Sequence, residues 1–199
     1  MSDYNYDSYC GLYCGACDIL MAYKTGNKTN FSCFWTEPRL KAYQKSQGNT
    51  CSKSDLELKC HGCKSDTVFV NCRSCVIKNC AIEKNVEHCP QCKDYPCNFI
   101  ADLKNGEKVL NHLKEKEDNL QKIKEIGVNN WLLEQEKRWK CPGCQTSFSW
   151  YSSVCSNCGE DLSKHAYKFN IINSLLFRLG IRFALKKKIS EDVNDVGPY

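Results

Sequence analysis

Four cysteines in the C-terminal third of the chain have the spacing of a metal site. They form two Cys-x2-Cys pairs separated by ten residues, Cys141 with Cys144 and Cys155 with Cys158. Each pair makes a tight turn that directs two sulfurs at one ion, and two such turns complete a tetrahedron. The pattern predicts a zinc ribbon, with the iron of a rubredoxin-type centre as the alternative. Gly159 suits the second turn, whereas Gln145 follows the first.

A second field of cysteines fills the first hundred residues. Its paired members are Cys10, Cys14, Cys17, Cys60, Cys63, Cys72, Cys75, Cys80, Cys89, Cys92 and Cys97. The four from Cys60 to Cys75 fit one four-thiolate site. A short repeat, Cys-x2-Cys-x4-Cys, begins at Cys72 and again at Cys89. Cys80 could therefore join the last three cysteines, or the pairs could interleave, and spacing leaves both groupings open.

The first three cysteines have no obvious fourth partner. Cys10, Cys14 and Cys17 have the Cys-x3-Cys-x2-Cys spacing with which radical S-adenosylmethionine enzymes hold a four-iron cluster. No run of alternating strands and helices follows, which argues against that large αβ barrel. A structural site completed by a more distant residue is the simpler interpretation. The candidates for that fourth ligand are Cys33, Cys51, His61, His88 and an exogenous ligand.

Composition predicts a cytoplasmic protein without a transmembrane span. The start of the chain is polar and acidic, and no stretch offers about 18 uninterrupted apolar residues. In a reducing compartment, paired cysteine spacings indicate metal ligands rather than disulfides. The formal net charge of +5 treats all 17 cysteines as neutral thiols. Each four-thiolate zinc site is net negative, so several sites would reverse that charge.

The elements that must position these cysteines suggest a small α+β protein stabilised by metals. We expect four segments: a cysteine-rich metal-binding domain with short helices over 1–100, a helical spacer over 101–139, a zinc ribbon over 140–162 and a basic amphipathic tail over 163–199. Apolar residues recur at helical spacing in the spacer, where Gly127 is expected to end one helix.

Aromatic residues and histidines complete the list of candidates. The stretch 146–151 between the ribbon's pairs is predicted to be a short β-hairpin. Phe148, Trp150 and Tyr151 are expected to cover its small core, with base stacking as the alternative. His112 and His165 show no ligand spacing and are predicted to lie on the surface.

The motifs together resemble those of a cysteine-rich bacterial and archaeal family, domain of unknown function 3795. The likeness lies in Cys10-Gly11-Leu12-Tyr13-Cys14-Gly15-Ala16-Cys17 and the later pairs up to Cys92-Lys93-Asp94-Tyr95-Pro96-Cys97, and covers roughly residues 8–100. The segment from Ile123 into the ribbon is similar to longer members. The resemblance implies shared metal ligands and a shared fold, but it brings no substrate. Cys33 and Cys51 do not match the pattern.

These observations predict a metal-binding protein with three or four zinc ions and no catalytic constellation. We expect a non-catalytic interaction module that binds an unknown protein partner. One alternative is an iron–sulfur redox protein or enzyme that uses Cys10, Cys14 and Cys17. Another is a zinc-ribbon protein that binds nucleic acid. The tail also offers a surface for docking on a membrane.

Overall fold

The chain folds into short helices joined by tight turns. The computed structural model describes residues 4–46, 48, 50 and 52–180, so Cys51 and residues 181–199 of the predicted tail lie outside the described part. The helices are α1 (Asp18–Thr25), α2 (Asn30–Phe34), α3 (Glu37–Ser46), α4 (Val70–Arg73), α5 (Val76–Glu83), α6 (Asn98–Gly106), α7 (Lys116–Ile126), α8 (Val128–Arg138) and α9 (171–180). Four 3-10 turns span Cys14–Ala16, Lys53–Leu56, Cys89–Gln91 and Asn111–Glu115.

The predicted α+β class is corrected to a mostly helical one. Within the described residues, β pairing is limited to two isolated antiparallel bridges, Lys140 with Ser147 and Val154 with Asp161. The β-hairpin expected over 146–151 is absent there, because long-range contacts hold this stretch instead. The Trp150 amide donates to the Ala16 carbonyl at 2.8 Å. Because the Trp150 amide is bonded to Ala16, it cannot donate to a strand within the same stretch.

Most of the predicted segments contribute to one hydrophobic core. Leu20 and Phe34 from the cysteine-rich part pack in the same cluster as Trp131 of α8, Trp139 and Phe169. A second, smaller cluster joins Ile77, Cys89, Ile100 and Leu120. The four-part division of the chain stays a prediction, but the segments share buried side chains.

The helical spacer forms as the periodicity indicates. Helix α7 ends at Gly127, as predicted, and α8 follows directly and packs against it. Both helices have 11 residues. Their shared face is bridged by Asn119, whose amide group donates to the Gly11 carbonyl at 2.9 Å and accepts from the Trp131 indole at 3.2 Å. The spacer is thereby fastened to the turn that carries the first cysteines.

No helix in the described part of the chain is both long enough and apolar enough to cross a bilayer. Helix α9 instead lies on the protein. Phe177 on its inner face contacts Phe34 and Trp35, with ring centroids 5.0 and 5.7 Å apart. Its outer face is exposed, and Ile171 and Ile172 retain 87% and 66% of their accessible surface.

Candidate metal centres

The four ribbon cysteines converge as their spacing predicts. Their sulfurs all lie within 4.8 Å of one another, with 3.6 Å between Cys141 and Cys158 and 3.5 Å between Cys144 and Cys155. A tetrahedral zinc with bonds of about 2.3 Å to sulfur needs sulfurs about 3.8 Å apart. The four thiols therefore fit a single metal ion.

Two similar backbone turns place the sulfurs of the ribbon. The Gln145 amide donates to the Cys141 carbonyl at 2.9 Å, and the Gly159 amide donates to the Cys155 carbonyl at 3.0 Å. Both residues have left-handed backbone conformations, with φ of 60° and 79°. This conformation explains why Gly159 suits its turn and shows that Gln145 adopts the same shape at some cost in strain.

Hydrogen bonds around Cys144 favour the ionised form of its thiol. The Thr146 hydroxyl lies 3.4 Å from the Cys144 sulfur. Hydrogen bonds from Thr146 and then from Asn157 lower the pKa of Cys144 to about 5. The hydrogen bond between Cys144 and Cys158 raises the pKa of Cys158, against a backbone hydrogen bond from Glu160 that lowers it, so the first negative charge belongs to the pair of thiols.

The aromatic residues between the two pairs face inward. Phe148, Trp150 and Tyr151 are all buried, which confirms that they cover the core. Phe148 packs on Trp139 with ring centroids 5.4 Å apart. The ribbon is thus built into the body of the protein, and these three rings present no stacking surface for bases.

The first three cysteines pack against both hydrophobic clusters. Cys14 and Cys17 pack with Cys60 against the main core, whereas Cys10 packs with Cys75 in the smaller cluster. Burial raises the pKa of Cys14 well above its usual value, and the nearby Cys63, Cys17 and Cys60 raise it further. Cys63 is also a neighbour of Cys10, so it links the thiols of the two clusters.

The central cysteine pairs interleave with the first three. Burial raises the pKa of Cys72, and the charges of Cys17, Cys60, Cys75 and Cys63 add to that effect. Burial also raises the pKa of Cys63 to about 12, with Cys10 as its strongest thiol neighbour. Each cysteine of these pairs therefore has neighbours among the first three as well as within its own pair.

The last N-terminal cysteines surround a small cavity of about 70 Å³. Its wall includes Cys80, Cys89, Cys92 and Cys97 together with apolar side chains such as Phe99 and Ile100. The structure thus brings Cys80 to the second copy of the repeat, which is one of the two groupings that spacing left open. The metal-ligand role of all eleven N-terminal cysteines remains a prediction.

The other candidate ligands contact residues other than the cysteines, or lie exposed on the surface. His88 is buried, and its Nε2 lies 2.9 Å from Asp7, whose second oxygen accepts from Lys64 at 2.6 Å. His61 lies against the rings of Tyr4 and Tyr23. Cys33 is exposed on α2. In the described ranges, the ribbon is the one set of three or more ligand atoms within 4.8 Å of each other.

One histidine and one lysine depart from the surface pattern. His112 was expected on the surface but is buried, whereas His165 is exposed as predicted. His112 is buried because it lies beneath the ribbon, where the indole ring of Trp150 stacks on it. Lys116 is also buried, and its ammonium group donates to Glu107 and to the Leu113 carbonyl. Neither residue carried a motif, so sequence reasoning had no signal for them.

Fold and site together define a small helical protein built on cysteine clusters, one of which can hold a metal ion. Residues 6–102, just under half of the chain, match the family described as Protein of unknown function (DUF3795). The match ends before the spacer and the ribbon. No curated protein and no solved structure matches the chain.

Proposed function

We propose that this protein is a metal-stabilised, non-catalytic interaction module whose ribbon holds one structural zinc ion. The observation that carries the proposal is the convergence of four sulfurs within 4.8 Å. Four protein ligands fill the coordination sphere of a tetrahedral ion and leave no position for a substrate. A structural zinc contributes roughly 10–16 kcal/mol of apparent binding energy, which is comparable to the stability of a whole domain.

The place of the ribbon in the core supports a structural role for its metal. Cys141 and Cys155 are buried within the main hydrophobic cluster. The backbone between the two pairs bonds to Ala16, and Ser149 donates to Asp18 of α1 at 3.0 Å. An ion that ties the two turns together therefore also orders the contacts to the cysteine-rich part.

Metal analysis combined with thermal unfolding tests this role. We expect Cys144→Ala and Cys158→Ala each to lose one zinc per chain and to unfold at a clearly lower temperature than the unsubstituted protein. Cys33→Ala is the matched control, because Cys33 is exposed and outside the ribbon. Iron without sulfide at this site would indicate the rubredoxin-type alternative. Unchanged metal content in both ribbon variants would refute the site.

The interaction role is supported by the outer face of α9. Ile171, Ile172, Leu175, Leu176 and Leu179 are exposed along this helix, while Phe177 holds its inner face to the core. An exposed apolar stripe of this kind is typical of a contact surface. Arg178 is the one charged residue in 171–180. The proposal of a protein partner rests on the apolar stripe, because the basic residues on both sides of it, such as Lys168 and Lys186, keep nucleic acid and an anionic membrane as the alternatives.

Photo-crosslinking in cells tests the choice of partner. A photoreactive amino acid at position 175 should give one discrete protein adduct. The same group at position 133, which is an exposed leucine on α8, should not give that adduct. Adducts to nucleic acid, or retention on anionic phospholipid vesicles that Leu175→Glu abolishes, would favour the alternatives and contradict a protein partner.

A further inference from the structure

The four sulfurs of the ribbon differ in their access to solvent. Cys141 and Cys155 are buried, with 0% and 3% of their surface accessible, whereas Cys144 is partly exposed and Cys158 is exposed. Each Cys-x2-Cys pair therefore supplies an inner thiol from its first cysteine and an outer thiol from its second. A reagent dissolved in water meets the two outer thiols first.

Each outer thiol has an inner thiol of the other pair close to it. The sulfur of Cys144 lies 3.5 Å from that of Cys155, and the sulfur of Cys158 lies 3.6 Å from that of Cys141. A disulfide bond is about 2.05 Å long, so each of these two gaps has to close by about 1.5 Å. Both contacts run from one turn to the other, and a bond formed at either of them would cross-link the two turns.

We propose that the ribbon is an oxidation site, at which a hydroperoxide joins Cys144 to Cys155 and Cys158 to Cys141 as disulfides and the zinc ion is released. This oxidation rests on the proposed function, because it begins from the zinc-bound ribbon. It adds a regulation of that same site, in which the ribbon holds its ion in a reducing environment and releases it when peroxide is present.

The reaction uses one hydroperoxide for each disulfide. A cysteine that binds zinc is already deprotonated, and the thiolate is the form that attacks a peroxide. The outer sulfur bonds to one peroxide oxygen as the O–O bond breaks, which gives a sulfenic acid and, from hydrogen peroxide, a hydroxide ion. The inner thiolate then bonds to the sulfenic sulfur and expels a second hydroxide. Two thiolates thus give two electrons to each peroxide, and the second disulfide removes the last thiolates that hold the ion.

Contacts outside the metal site hold the two turns together when the ion leaves. The Trp150 amide donates to the Ala16 carbonyl at 2.8 Å, and the Trp150 carbonyl accepts from the Tyr167 amide at 2.6 Å. The Asn27 amide group donates to the Ser156 hydroxyl at 2.9 Å, which fastens the second turn to the loop before α2. The sulfurs therefore stay near one another during the reaction, and disulfides replace the ion as the link between the turns.

Peptide mapping of the full chain tests the pairing. Zinc-loaded protein is treated with increasing amounts of hydrogen peroxide, alkylated and digested with trypsin, which should release residues 141–164 as one peptide. Chymotrypsin then cuts after Phe148, Trp150 or Tyr151, between the two Cys-x2-Cys pairs. We expect the two halves to remain joined until a reductant is added, and their fragmentation to place Cys144 with Cys155. Halves that separate without a reductant would contain a disulfide within each pair and would overturn the proposal.

Zinc analysis separates a failure of this proposal from a failure of the proposed function. Before oxidation, the unsubstituted protein should contain about one zinc per chain more than Cys158→Ala, and peroxide should release that extra ion. Equal zinc contents would refute the zinc site, and with it the oxidation that starts there. Cys33 is the internal reference, because its thiol is exposed outside the ribbon. Ribbon thiols that stay reduced and keep their zinc at peroxide doses that oxidise Cys33 would overturn the oxidation alone and leave the structural zinc in place.

Discussion

The imidazole ring of His112 lies flat against the indole ring of Trp150. Their centroids are 4.0 Å apart and their planes differ by 6°. The His112 Nδ1 atom is 2.8 Å from the Tyr151 hydroxyl. His112 belongs to the turn before α7, and Trp150 lies between the ribbon's two cysteine pairs. The stacked rings therefore join the helical spacer to the metal site.

The buried imidazole makes stability depend on pH. Burial lowers the pKa of His112 to about 3, from an ordinary value near 6.5. Below pH 6.5 the unfolded chain binds a proton that the folded chain refuses, so stability falls as the pH falls, by about 1.4 kcal/mol per unit between pH 6 and 4. Above about pH 7.5 this group contributes almost no slope.

Denaturant unfolding between pH 5 and 8 checks the effect of His112. Below pH 6, the free energy of unfolding of His112→Gln should change less steeply with pH than that of the unsubstituted protein. The difference should correspond to about one bound proton. Because both proteins lose metal to acid in the same way, the difference between their slopes isolates the imidazole. His165→Gln, at an exposed position, should follow the unsubstituted protein. If the free energies of unfolding of His112→Gln and of the unsubstituted protein change with pH in parallel, the pKa of His112 is not shifted by folding.

The buried ion pair of Lys116 and Glu107 should respond unequally to its two single substitutions. Lys116 is 1% exposed and Glu107 is 23% exposed at the side chain. Glu107→Ala leaves a buried ammonium group without its partner and should cost about 3–5 kcal/mol. Lys116→Met replaces the charge with an apolar chain of similar length and should cost much less. Equal losses in chemical denaturation would mean that the ammonium group reaches water.

Asn119 should be among the residues of the spacer that tolerate substitution least. Its side-chain amide donates to the Gly11 carbonyl at 2.9 Å. Its oxygen accepts from the Trp131 indole at 3.2 Å and from the Gln135 amide group at 3.4 Å. Asn119→Leu leaves buried polar partners unsatisfied and should destabilise the protein by about 2–4 kcal/mol. Asn129→Leu, at an exposed position on α8, should stay within about 0.5 kcal/mol. Thermal unfolding of both variants measures the difference, and similar losses would contradict the role of Asn119.

A close backbone contact at Gly62 should be needed for the cysteine-rich part. A Cβ atom at Gly62 would lie 1.7 Å from the Asn5 carbonyl oxygen, and the φ angle there is 120°. Gly62→Ala should therefore push Asn5 away and break the hydrogen bond of 2.7 Å from the Asn5 amide to the His61 carbonyl. Gly26→Ala provides the control, because Gly26 also has positive φ but has no atom within 4 Å of the added carbon.

Metal content and melting temperature distinguish these two glycine variants. Gly26→Ala should lose only the roughly 1–3 kcal/mol of a strained backbone. Gly62→Ala should lose more stability and also bind less metal at the N-terminal cysteines, while the ribbon keeps its ion. If the two variants melt together with the same metal content, the contact with Asn5 has no part in holding these cysteines.

The convergence of the four C-terminal thiols and the end of α7 could be predicted because their geometry is local. A Cys-x2-Cys turn orients its sulfurs through backbone bonds that span four residues, and Gly127 ends a helix through its own conformation. The family of residues 6–102 was also recognisable from its motifs. In each case, residues near one another in the chain carry the information.

The burial of His112 and Lys116 and the packing of the N-terminal cysteines depend on tertiary structure. Cys80 reaches the cavity because α5 packs against α6, and Cys63 comes to lie near Cys10 although 53 residues separate them in the chain. Spacing limits which thiols can meet, but packing between distant segments determines which of them do. The β-hairpin was wrong for the same reason, since contacts to Ala16 and Trp139 outweighed local strand preference.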